Sequence, residues 1–297
     1  MSTATPPTPA PPAPRAEIDE IPLRTVPLRH PWRWVAAIAL IIVAVFALIS
    51  VFTNERYGWG VVGQYLFQPS ILMGMLNTVL LTVVAMTIGI VLGTVLAVCN
   101  MSPNPVLRTF SGAFLWFFRG TPLLVQLIFW FNLSALYPRL GLFVPISGDN
   151  LISWDTNAVI TVWVAAILGF GLNESAYMAE IIRSGLMSVP RQQREAARAL
   201  GMNEALVFFR VVWPQALRII VPPTGNQVIG MLKHTSLVSI IALPDLMFSV
   251  QLIYSQNFQT IPLLVVASIW YLLLTTVLSF AQSRIEKRYG KGLVTVG

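Results

Sequence analysis

The chain has 297 residues, 56% of them hydrophobic and only 10% charged, and its mean hydropathy is +0.72. A soluble domain carries roughly 25% charged residues, so this composition excludes one and marks an integral membrane protein. The net charge of +7 does not point to nucleic acid, because basic residues in a membrane chain report orientation first. The single cysteine, Cys99, excludes an intrachain disulfide and brings no companion ligands for a metal.

Residues 1–33 open with PPTPAPPAP at 6–14, an extended proline-rich stretch with nothing to bury. The segment is too long and too polar for the basic start of a signal peptide, and a disordered cytoplasmic tail is expected. A spanning helix needs about 20 mostly apolar residues. The windows that satisfy this are 34–52, 71–99, 110–137, 157–182, 217–241 and 262–283, and residues 286–297 form a second short tail. The expected fold is therefore all-α with six transmembrane helices, and six crossings put both termini on one side.

Basic residues set the orientation. With a cytoplasmic amino terminus, fifteen arginines and lysines fall inside and only Arg56 and Arg139 fall outside, while Arg119 and Lys233 lie within spans. That asymmetry satisfies the positive-inside rule, so the segment between the fourth and fifth spans is cytoplasmic.

Ala85, Gly89, Gly93 and Ala97 recur every four residues in the second span. Such a strip of small residues lets another helix approach closely, and packing within the chain is expected of it. The third span contains Arg119-Gly120-Thr121-Pro122, where proline should kink or restart the helix. Arg119, near the cytoplasmic boundary, is read as snorkelling or packing against the loop rather than touching ligand. The fifth span holds Pro222-Pro223 and then Lys233-His234-Thr235-Ser236. Interrupted helices at membrane depth are tolerated mainly where they line a cavity or pack inside protein, so these spans are the expected pathway walls. Leu243-Pro244-Asp245 should open a short helix at the outer surface.

The cytoplasmic segment, 186–214, reads as two short helices. Ser188 can cap the first, with Pro190 in its first turn and Gly201 in the left-handed position that ends it. Arg191, Glu195 and Arg198 have the spacing of helical ion pairs. Asn203 can cap the second helix, which should end before Pro214. Alanines and a glutamine stand where a bilayer-binding helix would show leucine and phenylalanine. That face suits contact with another protein.

The sequence Glu195-Ala196-Ala197, then three residues and Gly201, then Val211, Trp213 and Pro214, resembles the EAA loop of permease subunits of bacterial ABC importers. Valine and tryptophan stand where that pattern has isoleucine and leucine. FRGTPLLVQL at 118–127, NESAYMAEIIRSG at 173–185 and LKHTSLVSIIALPDL at 232–246 are similar to the branch that takes up polar amino acids. The resemblance spans 70–285 and implies a type I importer core of five helices, preceded by one extra helix at 34–52. It further implies a second permease subunit (the same chain or a paralogue), a dimer of ATP-binding subunits and an extracellular or periplasmic solute-binding protein. The setting would be a bacterial inner membrane with both termini cytoplasmic. In such importers the loop's first helix sits in a groove of the ATPase. Glu195 would orient it, Ala196 and Ala197 permit close approach, Gly201 makes the turn and Pro214 ends the segment.

No ATP site is expected in the chain. Its only Gly-Lys pair, Gly290-Lys291, lacks the upstream glycine of a phosphate loop, so ATP with magnesium belongs to the partner. No HExxH or GxSxG motif appears, and no catalytic or metal-binding residue is assigned. For an amino-acid substrate the path candidates are polar residues inside spans, where charge is costly. Lys233 could meet a carboxylate and Glu174 an ammonium group, while Gln126, Asn226, Gln227, Thr235, Ser236 and Ser239 offer neutral hydrogen bonds. The plainer alternatives are a Lys233–Glu174 pair and hydroxyls bonded to their own helix. A different class, an ion-coupled secondary transporter or channel, would show internal repeats, which are not apparent.

Overall fold

The computed structural model describes residues 31–143 and 150–289. The proline-rich tail therefore lies outside the described residues up to residue 30, as does the carboxy-terminal tail from residue 290. Two units are distinguished, ending and beginning at Thr53 and Asn54. The first contains α1 (Pro31–Thr53), an unbroken apolar helix whose last residue turns its hydroxyl back to the Ile49 carbonyl at 2.8 Å.

The second unit begins with a 3₁₀ turn at Glu55–Tyr57 and α2 (Trp59–Tyr65). The long α3 (Pro69–Met101) follows, then α4 (Pro105–Gly120), α5 (Leu123–Phe131) and the single turn α6 (Leu133–Leu136). A hairpin of β1 (Arg139–Phe143) and β2 (Asn150–Asp155), paired antiparallel, is the one pair of strands among the described residues. After the short α7 (Thr156–Val159) come α8 (Val162–Met187), α9 (Arg191–Ala199), α10 (Glu204–Val207), α11 (Trp213–His234), α12 (Leu246–Asn257) and α13 (Thr260–Tyr289).

Among the described residues five helices are long and apolar enough to cross a membrane, or six if the bent pair α4–α5 counts as one span: Trp32–Thr53, Pro69–Met101, Val162–Met187, Glu204–Ile241 and Thr260–Tyr289. The window at 110–137 is not a straight sixth span. It is the pair α4–α5, bent by 100°. Pro122 accounts for the break, since it forces the preceding residue out of helical geometry, and Thr121 has φ −109° and ψ 141°. The two adjacent prolines 222 and 223 instead lie inside α11 without ending it. The helical run that contains the fifth window begins at Glu204, ahead of residue 217.

Lipid supplies no hydrophobic drive between helices, so close packing of small residues must hold them together. The strip of Ala85, Gly89, Gly93 and Ala97 is buried. It receives α8: a β-carbon at Gly93 would stand 2.7 Å from that of Met178, and one at Gly89 would stand 2.6 Å from the Glu174 Cγ. Toward the amino-terminal end of α3, Ile71 joins Leu246, Val250, Leu263 and Val266 in a second fully buried cluster. The helix after Pro244, α12, packs against both α3 and α13. Asp245 caps it, accepting from the Phe248 N–H at 2.8 Å.

Candidate functional site

The 100° elbow is held by amides. The Gln126 side chain donates to the Phe118 and Thr121 carbonyls, both at 3.1 Å, and to the Thr121 hydroxyl at 2.7 Å. Asn173 on α8 donates to the same Phe118 carbonyl at 2.8 Å. These carbonyls end α4 and would otherwise lack helical partners. Gln126, expected on the substrate path, is therefore buried in the elbow's own bonding.

The elbow, α8 and α11 enclose a cavity of about 510 Å³. Arg119 to Pro122 line it from the elbow, Asn173, Glu174 and Tyr177 from α8, and Gln227, Met231 and His234 from α11. Glu174 is only 4% exposed, and its Oε1 has no hydrogen-bond partner among the described residues. A buried carboxylate oxygen without a donor is costly.

The cation in the cavity wall is Arg119. Its nearest carboxylate, Glu180, is 3.9 Å away and is already held by Arg183 at 2.5 and 3.2 Å. The Arg119 guanidinium lies 5.7 Å from the centre of the Tyr177 ring, and its side chain is 43% exposed. Arg119 thus lines the cavity with a guanidinium that is not closely paired.

Of the eight path candidates, the structure brings Glu174 and Gln227 to this cavity. Lys233 is exposed and does not line it, so a Lys233–Glu174 pair is not formed. Asn226 accepts from Gln282 of α13 at 3.0 Å. The hydroxyls of Thr235, Ser236 and Ser239 donate to the carbonyls of Leu232, Lys233 and Ser236 at 2.7–2.8 Å, within a helix that tightens to 3₁₀ over Thr235–Ile241. Arg119, Asn173, Tyr177 and His234 were not expected here. Helical spacing carried a signal for them: Asn173 and Tyr177 are i, i+4, and Gln227, Met231 and His234 are i, i+4, i+7, the pattern of one helix face.

The cytoplasmic segment is built by capping chemistry. Gly201 has φ +78° and closes α9 as expected, with its N–H on the Arg198 carbonyl at 2.9 Å and the Met202 N–H on the Ala197 carbonyl at 3.2 Å. This pair of bonds is a Schellman motif. Asn203 accepts from the Leu206 N–H at 2.9 Å. Three expectations are corrected. Ser188 ends α8, donating to the Gly185 carbonyl at 2.6 Å, and Pro190 occupies the cap of α9. Arg198 pairs with Glu204 at 2.7 and 3.1 Å and not with Glu195, because the Gly201 turn folds α10 back beside it. Finally, no helix ends at Pro214: a π turn at Phe208–Val212 leads directly into α11. The wider turn accommodates a residue that has no N–H to give.

One side of α9 is tied down. Ala197 is buried, Arg194 donates to the Leu186 carbonyl at 2.5 Å, and Gln193 accepts from Gln215 at 2.6 Å. Glu195, Ala196 and Gly201 are exposed, and Leu200 is 83% exposed.

Comparison with known proteins gives a consistent result. The family described as "Binding-protein-dependent transport system inner membrane component" matches residues 89–291. The arginine transport system permease protein ArgU of Corynebacterium glutamicum is 45% identical over 274 residues, 91% of this chain and 84% of that protein. A putative glutamine transport system permease protein, GlnP of Rickettsia typhi, is 32% identical over 225 residues, 75% of this chain and 95% of its own. Among solved structures, one described as an amino acid ABC transporter with histidines aligns with a TM-score of 0.63 at 32% identity, over 74% of this chain and 94% of that one.

Proposed function

The chain belongs to the family of binding-protein-dependent transport system inner membrane components, and from that premise we propose that it is the permease subunit of an ATP-driven amino-acid importer. The roles named for its relatives, arginine and glutamine transport, support an amino acid as the cargo. In this reading the cavity between the elbow, α8 and α11 is a station on the path. Arg119 receives a carboxylate and Glu174 an ammonium or other cationic group, with Tyr177 and Gln227 completing the wall.

A single observation carries the coupling. One helical run, Glu204–Ile241, includes the second half of the cytoplasmic segment at one end and the cavity residues Gln227, Met231 and His234 further along. A push on α9 reaches α10 through the Arg198–Glu204 pair and α11 through Gln193 and Gln215. It therefore arrives at the cavity without crossing a flexible joint. Glu195, Ala196 and Leu200 present the surface for a separate ATP-binding subunit, which carries ATP and magnesium. A second permease copy or paralogue completes the path, a solute-binding protein delivers cargo outside, and both termini are cytoplasmic, a reading that the distribution of basic residues supports.

The test is reconstitution of the chain with its ATP-binding subunit and solute-binding protein in vesicles. Amino-acid uptake that requires all three and ATP is the expected result. Uptake by the permease alone, driven by an ion gradient, would overturn the reading.

A further inference from the structure

Toward the cytoplasmic segment, α8 continues past the cavity residues Glu174 and Tyr177 to Glu180 and Arg183. Arg183 grips Glu180 with two prongs: its Nη2 donates to Oε1 at 2.5 Å and its Nε to Oε2 at 3.2 Å. Its Nη1 donates to the Met187 sulfur at 3.1 Å, so each of its nitrogens is engaged. Glu180 Oε2 also lies 3.9 Å from the Arg119 Nη1 on the elbow, too far for a hydrogen bond. Among the described residues Glu180 pairs with these two arginines alone.

As a contact between helix residues i and i+3, the Glu180–Arg183 pair contributes little to stability. Its consequence for Arg119 is larger. A charged nitrogen and a carboxylate oxygen settle at about 2.7–2.9 Å, so movement of about 1 Å would carry Glu180 into a full pair with Arg119. Two cations therefore compete for one carboxylate, and Arg183 prevails because its parallel bonds hold both oxygens at once. The three groups together carry an excess of positive charge, and the unmatched cation is the one in the cavity wall.

We infer that Arg183 is a positioning residue for the transported amino acid. Arg183 does not touch the substrate; by holding Glu180 it keeps Arg119 open to the substrate's carboxylate. This rests on the reading of the cavity given above, in which Arg119 receives that carboxylate. Without Arg183, Glu180 closes on Arg119 and becomes a competitor of the substrate from within the protein.

The test is equilibrium binding to the full chain assembled with its ATP-binding subunit, with the solute-binding protein left out. The probe is whichever standard amino acid binds the parent tightest, and its α-carboxamide, which lacks the carboxylate charge, is the control. Arg183→Gln should weaken binding of the acid about fivefold, the scale of an ion pair partly open to solvent, and leave the carboxamide unchanged. Arg183→Lys, which still holds Glu180, should fall between Arg183→Gln and the parent. Glu180→Gln removes the competitor, so the double variant Arg183→Gln, Glu180→Gln should recover the parent's affinity. An equal loss for the carboxamide, or a loss that the double variant does not recover, overturns the inference, because a damaged fold gives both. Unchanged binding in Arg119→Gln overturns the reading of the cavity. A loss there with none in Arg183→Gln overturns this inference alone.

Discussion

Gly89 of α3 lies directly beneath Glu174 of α8: a methyl group at residue 89 would come within 2.6 Å of the Glu174 Cγ and 3.0 Å of its Cβ. The absent side chain thus makes room for the one buried carboxylate in the cavity wall. Gly89→Ala should displace Glu174 and cost about 1–3 kcal/mol, the usual range for an overpacked site. Thermal unfolding in detergent reads the stability, and equilibrium binding of labelled amino acid to the assembled transporter reads the site. Unchanged binding with lowered stability would detach Glu174 from substrate recognition.

Two cations on the path separate cleanly. Arg119 lines the cavity with its donors largely unspent, and Lys233 is exposed elsewhere. Arg119→Gln should weaken substrate binding roughly tenfold or more, because a hydrogen bond to a charged group contributes about 1.5–3 kcal/mol. Arg119→Lys should recover only part of it, since lysine lacks the two-pronged geometry that fits a carboxylate. Lys233→Ala should bind as the parent does. Equal losses in Arg119→Gln and Lys233→Ala would remove Arg119 from the site.

That contrast also marks what local sequence can reveal. Gly201, Asn203 and the Thr121-Pro122 break act through their neighbours in the chain, and each was legible from residue type and spacing alone. The side a spanning residue faces depends on how its helix is rotated against others, and composition does not encode that. Arithmetic does constrain it: residues advance about 100° each around a helix, so Lys233, six beyond Gln227, falls about 240° round and cannot share its face. The fate of Pro214 and of Pro222-Pro223 was hidden for a different reason. Tertiary packing kept these helices running and absorbed the missing bonds, in the first case through a π turn.

Asp245 supplies a pH-dependent prediction. It is fully buried between spans, and burial pushes its carboxyl up to about 6 against the capping bond from Phe248. A carboxyl with a raised folded-state pKa holds its proton more tightly when folded, so stability falls as pH rises from about 4 through about 6. Asp245→Asn keeps the cap and removes the charge. It should match the parent at pH 4 and exceed it at pH 7 by on the order of 3 kcal/mol. Asp245→Ala should lose about 1 kcal/mol of capping at both values. Parallel melting-temperature profiles for the parent and the asparagine variant would contradict this.

Gly201 offers a test in which space and backbone conformation come apart. A β-carbon there would meet nothing within 4 Å, yet its φ is +78°, a region that costs most residues about 1–2 kcal/mol and that asparagine tolerates. Size therefore plays no part, and only the turn is at stake. Gly201→Asn should preserve the Schellman motif and with it the register of α9 against α10. Gly201→Val, being β-branched, should open the turn and separate Arg198 from Glu204. The valine variant should insert normally and still bind amino acid at the cavity, while ATP hydrolysis by the partner no longer drives uptake. Uptake and hydrolysis measured together decide it. If valine and asparagine transport equally, the turn does not transmit force; if both fail, the surface around Gly201 and not its conformation is what the ATP-binding subunit reads.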